Sequence, residues 1–119
     1  MAADRDLRKG SVEILLLTLL TDQPMYGYQL AKELCRRSQG YFEFKEGTLY
    51  PALHRMERRG WLAARWEVVE QGPSRKYYHL TDMGREELKR SRQEWAKFAD
   101  RLLGLLRSPS SEGGEVVGS

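Results

Sequence analysis

Gly47-Thr48-Leu49-Tyr50-Pro51-Ala52-Leu53-His54-Arg55-Met56-Glu57-Arg58-Arg59-Gly60 is the stretch whose pattern decides the fold. Leu49, Leu53 and Met56 recur at helical spacing, so they share one face, and that face must be buried. The opposite side carries Thr48, Pro51, His54, Arg55 and Arg58, with Tyr50 at the flank. Thr48 is a good N-cap, which puts Pro51 inside the first turn, where its missing N–H would have been unpaired anyway. A start nearer Glu46 is the other possibility, and there Pro51 strains the helix. Gly60 ends it. The outward side is rich in hydroxyl, imidazole and guanidinium donors and poor in acids. A helix of this width fits the DNA major groove, where such donors read base edges and phosphates. Arg55 is best placed for bidentate contact to guanine or phosphate. A solvated amphipathic helix shows the same pattern, with Arg58 and Arg59 serving the helix dipole. The helix alone therefore does not decide.

The segment beyond Gly60 tips the balance. Trp61–Glu70 and Lys76–Thr81 are rich in aromatic and β-branched residues, and Gln71-Gly72-Pro73-Ser74-Arg75 separates them. That is a two-stranded hairpin with a long loop. Its small residues and the adjacent cations Arg75 and Lys76 suit a tip lying on phosphates or in a minor groove. Tyr77 and Tyr78 point to opposite faces of their strand, so one packs inward and the other reaches the nucleic-acid backbone.

Upstream, a helix is expected from about Arg8 to Thr21, with Ser11 as a plausible cap. Ile14–Leu20 is apolar almost all round, which predicts burial on more than one side. Asp22-Gln23-Pro24 stops it. A second helix is expected from Tyr26 to Ser38, with Leu30, Ala31, Leu34 and Cys35 on one face and Gln29, Lys32, Glu33, Arg36 and Arg37 on the other. Gln39-Gly40 reads as a turn and Tyr41–Phe44 as a short extended piece. Thr81 and Asp82 cap a last helix to about Arg107. The order helix, helix, helix, hairpin, helix describes a winged helix-turn-helix, mainly α with a small β-hairpin. The organisation read from the sequence is 1–81 as the winged-helix domain, 82–107 as a C-terminal dimerisation helix and 108–119 as a disordered Ser/Gly/Pro-rich tail.

Composition narrows the function classes. The 119 residues suit one domain, and a net charge of +3 permits a nucleic-acid partner without demanding one. The lone Cys35 reads as a small core residue, and with only His54 and His79 beside it no metal site is expected. No nucleophile–base constellation or phosphate loop points to an enzyme, and no cofactor is expected. With no signal peptide and no apolar run long enough to span a bilayer, a cytoplasmic protein without a membrane partner is expected.

These segments together resemble the PadR family of bacterial transcriptional regulators. The likeness is carried by Tyr26-Gly27-Tyr28-Gln29-Leu30, by Gly47–Glu57, by Gly72-Pro73-Ser74-Arg75-Lys76-Tyr77-Tyr78-His79-Leu80-Thr81, and by Gly84. A single final helix places the chain with the short, multidrug-binding branch. The resemblance implies a homodimeric repressor of inverted-repeat operators in double-stranded DNA, released by a small aromatic or drug-like ligand. It puts Thr48, Tyr50, Arg75 and Lys76 in DNA-contacting motifs and Tyr26 with Gly27 close to a phosphate. The full candidate set for DNA is Tyr26, Lys45, Thr48, Tyr50, Pro51, His54, Arg55, Arg58, Arg75, Lys76 and Tyr77. A winged-helix adaptor that binds protein instead is the alternative.

The last helix has its own pattern. Leu88, Trp95 and Leu102 are spaced by seven, with Ser91, Phe98 and Leu105 as companions, an a/d seam. At about 1.5 Å per residue this rod runs to roughly 39 Å, more than one small domain can cover, which predicts a twofold dimer. The apolar first helix is the natural partner of the other subunit's last helix. The resemblance implies that Trp95 stacks on flat aromatic ligands, with Ser91, Phe98, Lys9, Val12 and Glu13 as the other candidates. Filling of the dimer core by Trp95 is the competing expectation.

Overall fold

The computed structural model describes residues 10–107 of the chain. Its elements are α1 (Val12–Leu19), β1 (Met25–Tyr26), α2 (Gly27–Arg37), α3 (Glu46–Arg58), β2 (Leu62–Glu67), β3 (Arg75–Leu80) and α4 (Asp82–Leu106). This is the expected winged helix-turn-helix with a long final helix.

The apolar faces read from periodicity meet in one core. Leu16, Leu17, Leu30, Leu49, Leu53 and Met56 are fully enclosed, with Leu62, Tyr78 and Leu80 of the sheet against them. On α1, Val12, Leu16, Leu17 and Leu19 are buried, while Ile14 and Leu15 pack partly against the same cluster. The almost wholly apolar helix is thus covered on several sides. Its start near Arg8 lies outside the described residues. At its other end Thr21 and Asp22 bond back to the carbonyls of Thr18 and Leu19, tightening the last turn before Pro24.

Three differences from the sequence-based expectation have physical causes. The sheet has three strands in the order β1-β3-β2, not two. Met25 and Tyr26 pair antiparallel with Tyr78 and Tyr77. Two residues are too few to carry an alternating pattern, and what holds the strand is its pairing to β3 together with the buried Met25 side chain. Second, α3 begins at Glu46 with Lys45 in the capping position, so Thr48 is not the cap. The N–H groups of Thr48 and Leu49 both reach the Lys45 carbonyl at 2.9 Å. Pro51 consequently sits inside the helix and leaves the Gly47 carbonyl without its usual donor. Gly47 is solvent-exposed, so water can take that place. Third, Tyr41–Phe44 forms no strand. The Phe42 N–H donates to Ser38 Oγ at 2.8 Å, and Phe42 and Phe44 pack against the core with ring centroids 6.1 Å apart.

The hairpin matches its expected place. Leu62 faces Leu80, Ala64 faces Tyr78 and Trp66 faces Lys76, all on one side of the ribbon. Ala63, Arg65 and Glu67 lie opposite His79, Tyr77 and Arg75 on the other side. Thr81 then starts α4 as expected. Its hydroxyl accepts from the Gly84 N–H at 3.0 Å and donates to the Gly60 carbonyl, tying the new helix to the turn that ended α3.

By its internal contacts the chain divides into two units between Lys89 and Arg90, inside α4. The sequence-based boundary at Thr81 follows secondary structure instead. The start of α4 belongs with the first unit because Gly84 and Leu88 are buried there. The tail read as disordered lies outside the described residues.

Candidate nucleic-acid interface

The outward stripe of α3 is Gly47, Pro51, His54 and Arg58, each exposed. Leu49, Ala52, Leu53 and Met56 lie opposite and are buried. Tyr50 and Glu57 form the flank toward the sheet, and Thr48, Arg55 and Arg59 form the other flank. The expected face is therefore present but narrower. Thr48 and Arg55 are half-buried at its edge, whereas His54 and Arg58 stand clear.

Arg55 is not free. Its Nε lies 3.3 Å from Glu13 Oε2 on α1. Arg59 Nη1 reaches the same carboxylate at 3.3 Å and 3.4 Å, with its guanidinium 5.0 Å from the Trp61 ring centre. Among the described residues no carboxylate pairs with Lys45, Arg58 or Arg75. These cations near α3 and the wing have no carboxylate to compete with a polyanion among the described residues.

The wing is strapped to α3 by one ion pair. Lys76 Nζ lies 3.0 Å from Glu57 Oε1 and 5.2 Å from the Tyr78 ring centre. The bond to Glu57 raises the Lys76 ammonium above its usual range, and burial raises the Tyr78 hydroxyl. Lys76 is therefore a strut between helix and wing before it is a contact for anything else. Arg75, the preceding residue and on the other face, sits 4.7 Å from the Tyr26 ring centre.

Tyr26 heads α2 and is the centre of an aromatic group. Tyr77 meets it edge-on at 5.3 Å, and Tyr28 lies roughly parallel at 6.5 Å. Its backbone N–H donates to Gln29 Oε1 at 3.1 Å, which satisfies one of the open donors at the helix start. Of the tyrosine pair on β3, Tyr78 packs inward as expected. Tyr77 does not stand free, because Tyr26 covers one edge and the Arg65 guanidinium lies 6.0 Å from its ring centre. Tyr50 fits against Gly27, where an added Cβ would come within 2.6 Å of the phenol ring. Gly27 is what lets the start of α2 lie this close to α3.

Pro51, His54 and Arg58 thus share the outward stripe of α3 with Tyr50 at its flank, Lys76 is tied to α3 through Glu57, and Tyr26, Arg75 and Tyr77 group on the other face of the wing. Arg55 is set aside with Glu13. The sequence did not point to the Glu57 strut, because the residues involved are far apart in the chain. It also passed over Trp66, whose indole is 65% exposed beside Lys76 on the strap's side of the wing.

The candidate ligand residues are scattered. Trp95 and Phe98 meet edge-on at 6.0 Å and, with Glu94, line a concavity of about 290 Å³ on α4. Ser91 is buried. Val12 belongs to the core and is 2% exposed, which leaves its side chain no surface to offer. Glu13 is engaged by the two arginines. Lys9 lies outside the described residues.

Residues 16–90 match the model of the transcriptional regulator PadR-like family. The chain is similar to the transcriptional regulator Rv3488 of Mycobacterium tuberculosis, 33% identical over 100 residues, or 84% of this chain and 90% of that one. Among solved structures it is similar to a PadR family transcriptional regulator from Eggerthella lenta, at a TM-score of 0.79 and 33% identity, covering 90% of this chain and 91% of that one. A PadR-like regulator from Bacillus cereus superposes at a TM-score of 0.74 with 32% identity, over 87% of this chain and 98% of its own.

Proposed function

The chain belongs to the PadR-like family of transcriptional regulators, and from that premise we propose that it is a homodimeric repressor that binds an inverted repeat in double-stranded DNA. The observation that carries this reading is the Lys76–Glu57 pair at 3.0 Å. Together with the core contacts of the sheet it sets the wing against the helix whose outward stripe is Pro51, His54 and Arg58. One body therefore presents a groove-sized helix and a cationic loop side by side. In this division of labour His54 and Arg58 face base edges and nearby phosphates, while Arg75 and Lys45 take phosphates. The test is selection of bound duplexes from a random pool. An inverted repeat with half-sites about one helical turn apart supports the twofold dimer. Recovery of no duplex, with a protein partner captured instead, favours the adaptor reading.

Release by a planar aromatic molecule is the second part of the proposal. Trp95 and Phe98 offer two ring faces and Glu94 adds a negative charge beside an open concavity on α4. An aromatic cation is the favoured class. Ligand binding would shift the dimer between states of different operator affinity. Quenching of indole fluorescence by such a cation must disappear in Trp95→Ala, because Trp61 and Trp66 also contribute to the signal. Quenching that persists in that variant places the site elsewhere.

A further inference from the structure

Two cations at the C-terminal end of α3, Arg55 and the capping residue Arg59, face α1. The Glu13 carboxylate takes the Arg55 Nε at 3.3 Å through Oε2, and Arg59 Nη1 at 3.3 Å through Oε1. Arg55 and Arg59 are four apart and so rise from one flank of the helix, and a single carboxylate spans them as a backbone phosphate would. Trp61 lies against the Arg59 guanidinium and limits where it can swing. None of these side chains is deeply buried. Glu13 is 28% exposed, and the two arginines are 41% and 50% exposed. Pairs this exposed are weak enough to exchange partners.

We propose that Glu13 is a specificity-determining residue of the DNA surface: it occupies Arg55 and Arg59 as a stand-in phosphate and withholds their charge from duplexes of any sequence. This rests on the reading of the protein as a duplex binder. A guanidinium that neutralises a phosphate releases counterions and strengthens binding regardless of sequence. Two such cations beside the outward stripe would raise affinity for every site in the genome alike. With Glu13 in place, contact falls to His54 and Arg58 on the stripe and to the wing. Discrimination between operator and bulk DNA then improves, because the sequence-independent share of the affinity shrinks.

The experiment measures binding of a random-sequence duplex and of a selected operator duplex against salt concentration, for the intact protein and for Glu13→Gln. In Glu13→Gln the random duplex binds about fivefold more tightly at low salt, the fold-change equivalent to releasing about 1 kcal/mol of pairing. The slope of log affinity against log salt steepens by about 0.9 for each phosphate newly contacted, and the operator's advantage falls. Glu13→Asp keeps the charge but withdraws the carboxylate by one methylene, and it moves affinity in the same direction. Both gains vanish in an Arg55→Ala/Arg59→Ala background. A folded Glu13→Gln protein with unchanged or weaker random-duplex affinity overturns the proposal. So does a gain that persists without the two arginines, which would be repulsion of DNA by a negative charge and nothing more. An intact protein that binds no duplex overturns the DNA reading itself, and this inference with it.

Discussion

Single residues carry two constraints that variants can expose. A Cβ on Gly84 would lie 2.1 Å from the Trp61 carbonyl oxygen, an oxygen that already accepts the Thr81 N–H at 3.1 Å. Alanine would gain about 1 kcal/mol of helix propensity. The clash cannot be relieved by a side chain moving, because backbone is on the other side. Gly84→Ala should therefore be destabilising on balance, by about 1–3 kcal/mol, seen as a lower thermal midpoint. Glu33 offers a pH test. Hydrogen bonds from Arg36 and then Arg37 pull its carboxyl from 4.5 down to about 2. Its contribution is thus fully present above the ordinary carboxylate range and is lost as pH falls toward 2. The midpoint difference between the protein and Glu33→Gln should shrink over that window and stay constant from pH 6 to 8. The sequence showed Glu33, Arg36 and Arg37 on one polar face. It did not show that Asp22 also joins Arg37, at 2.9 Å.

At the scale of elements, the core contacts of Leu62, Tyr78 and Leu80 fix the base of the wing on α3, and the Lys76–Glu57 strap adds a tie further out along the ribbon. Glu57→Gln should leave α3 and the base of the hairpin folded but loosen the outer part of the wing, since the shared core of Leu53, Met56, Leu62 and Leu80 does not depend on the pair. Operator affinity should then fall, whereas the loss of one acidic residue near DNA would by itself raise it. Exchange of wing amides, measured by hydrogen–deuterium exchange, should speed up while α3 stays protected. Equal protection in both proteins would show that the sheet alone fixes the wing. Arg58→Ala and Arg75→Ala probe the other side of the same surface. Each should lower the salt dependence of duplex binding by about one phosphate, roughly 0.9 in slope. The helices, the hairpin and their order were legible because periods of 3.6 and 2 persist over several residues. The strand at Met25 and the start of α3 at Glu46 were not, since one is too short to show a period and the other overrides a good capping residue. Local propensity favoured Thr48 as the cap. The extra turn forms because Lys45 is extended and its carbonyl is open to the first N–H groups of the helix.

For the whole molecule, the apolar stripe on α4 sets the expectation. Leu88 is buried, but Trp95, Phe98, Leu102, Leu103, Leu105 and Leu106 are exposed in a single chain. A patch of this kind on an otherwise polar helix is the surface the proposed dimer would bury. Phe98→Glu with Leu105→Glu should yield a folded monomer in sedimentation at micromolar concentration. Operator affinity should drop steeply in the same variant, because two linked half-site contacts become one. A dimer that survives both substitutions would show that another surface holds it together. No described helix is long and apolar enough to cross a membrane.

The sequence by itself determined the winged helix-turn-helix and the long final helix, and it named the α3 stripe and the wing as candidate surfaces. Those rest on local periodicity and turn chemistry, which a single chain displays residue by residue. Only the tertiary structure decided which cations of those surfaces are available. Glu13 and Arg55 stand 42 residues apart, and Glu57 and Lys76 stand 19 apart. No local pattern relates such residues, because the pairing comes from how α1 and the wing pack on α3. The helix the sequence singled out therefore keeps its place, with Arg55 paired to Glu13 while His54 and Arg58 stand exposed.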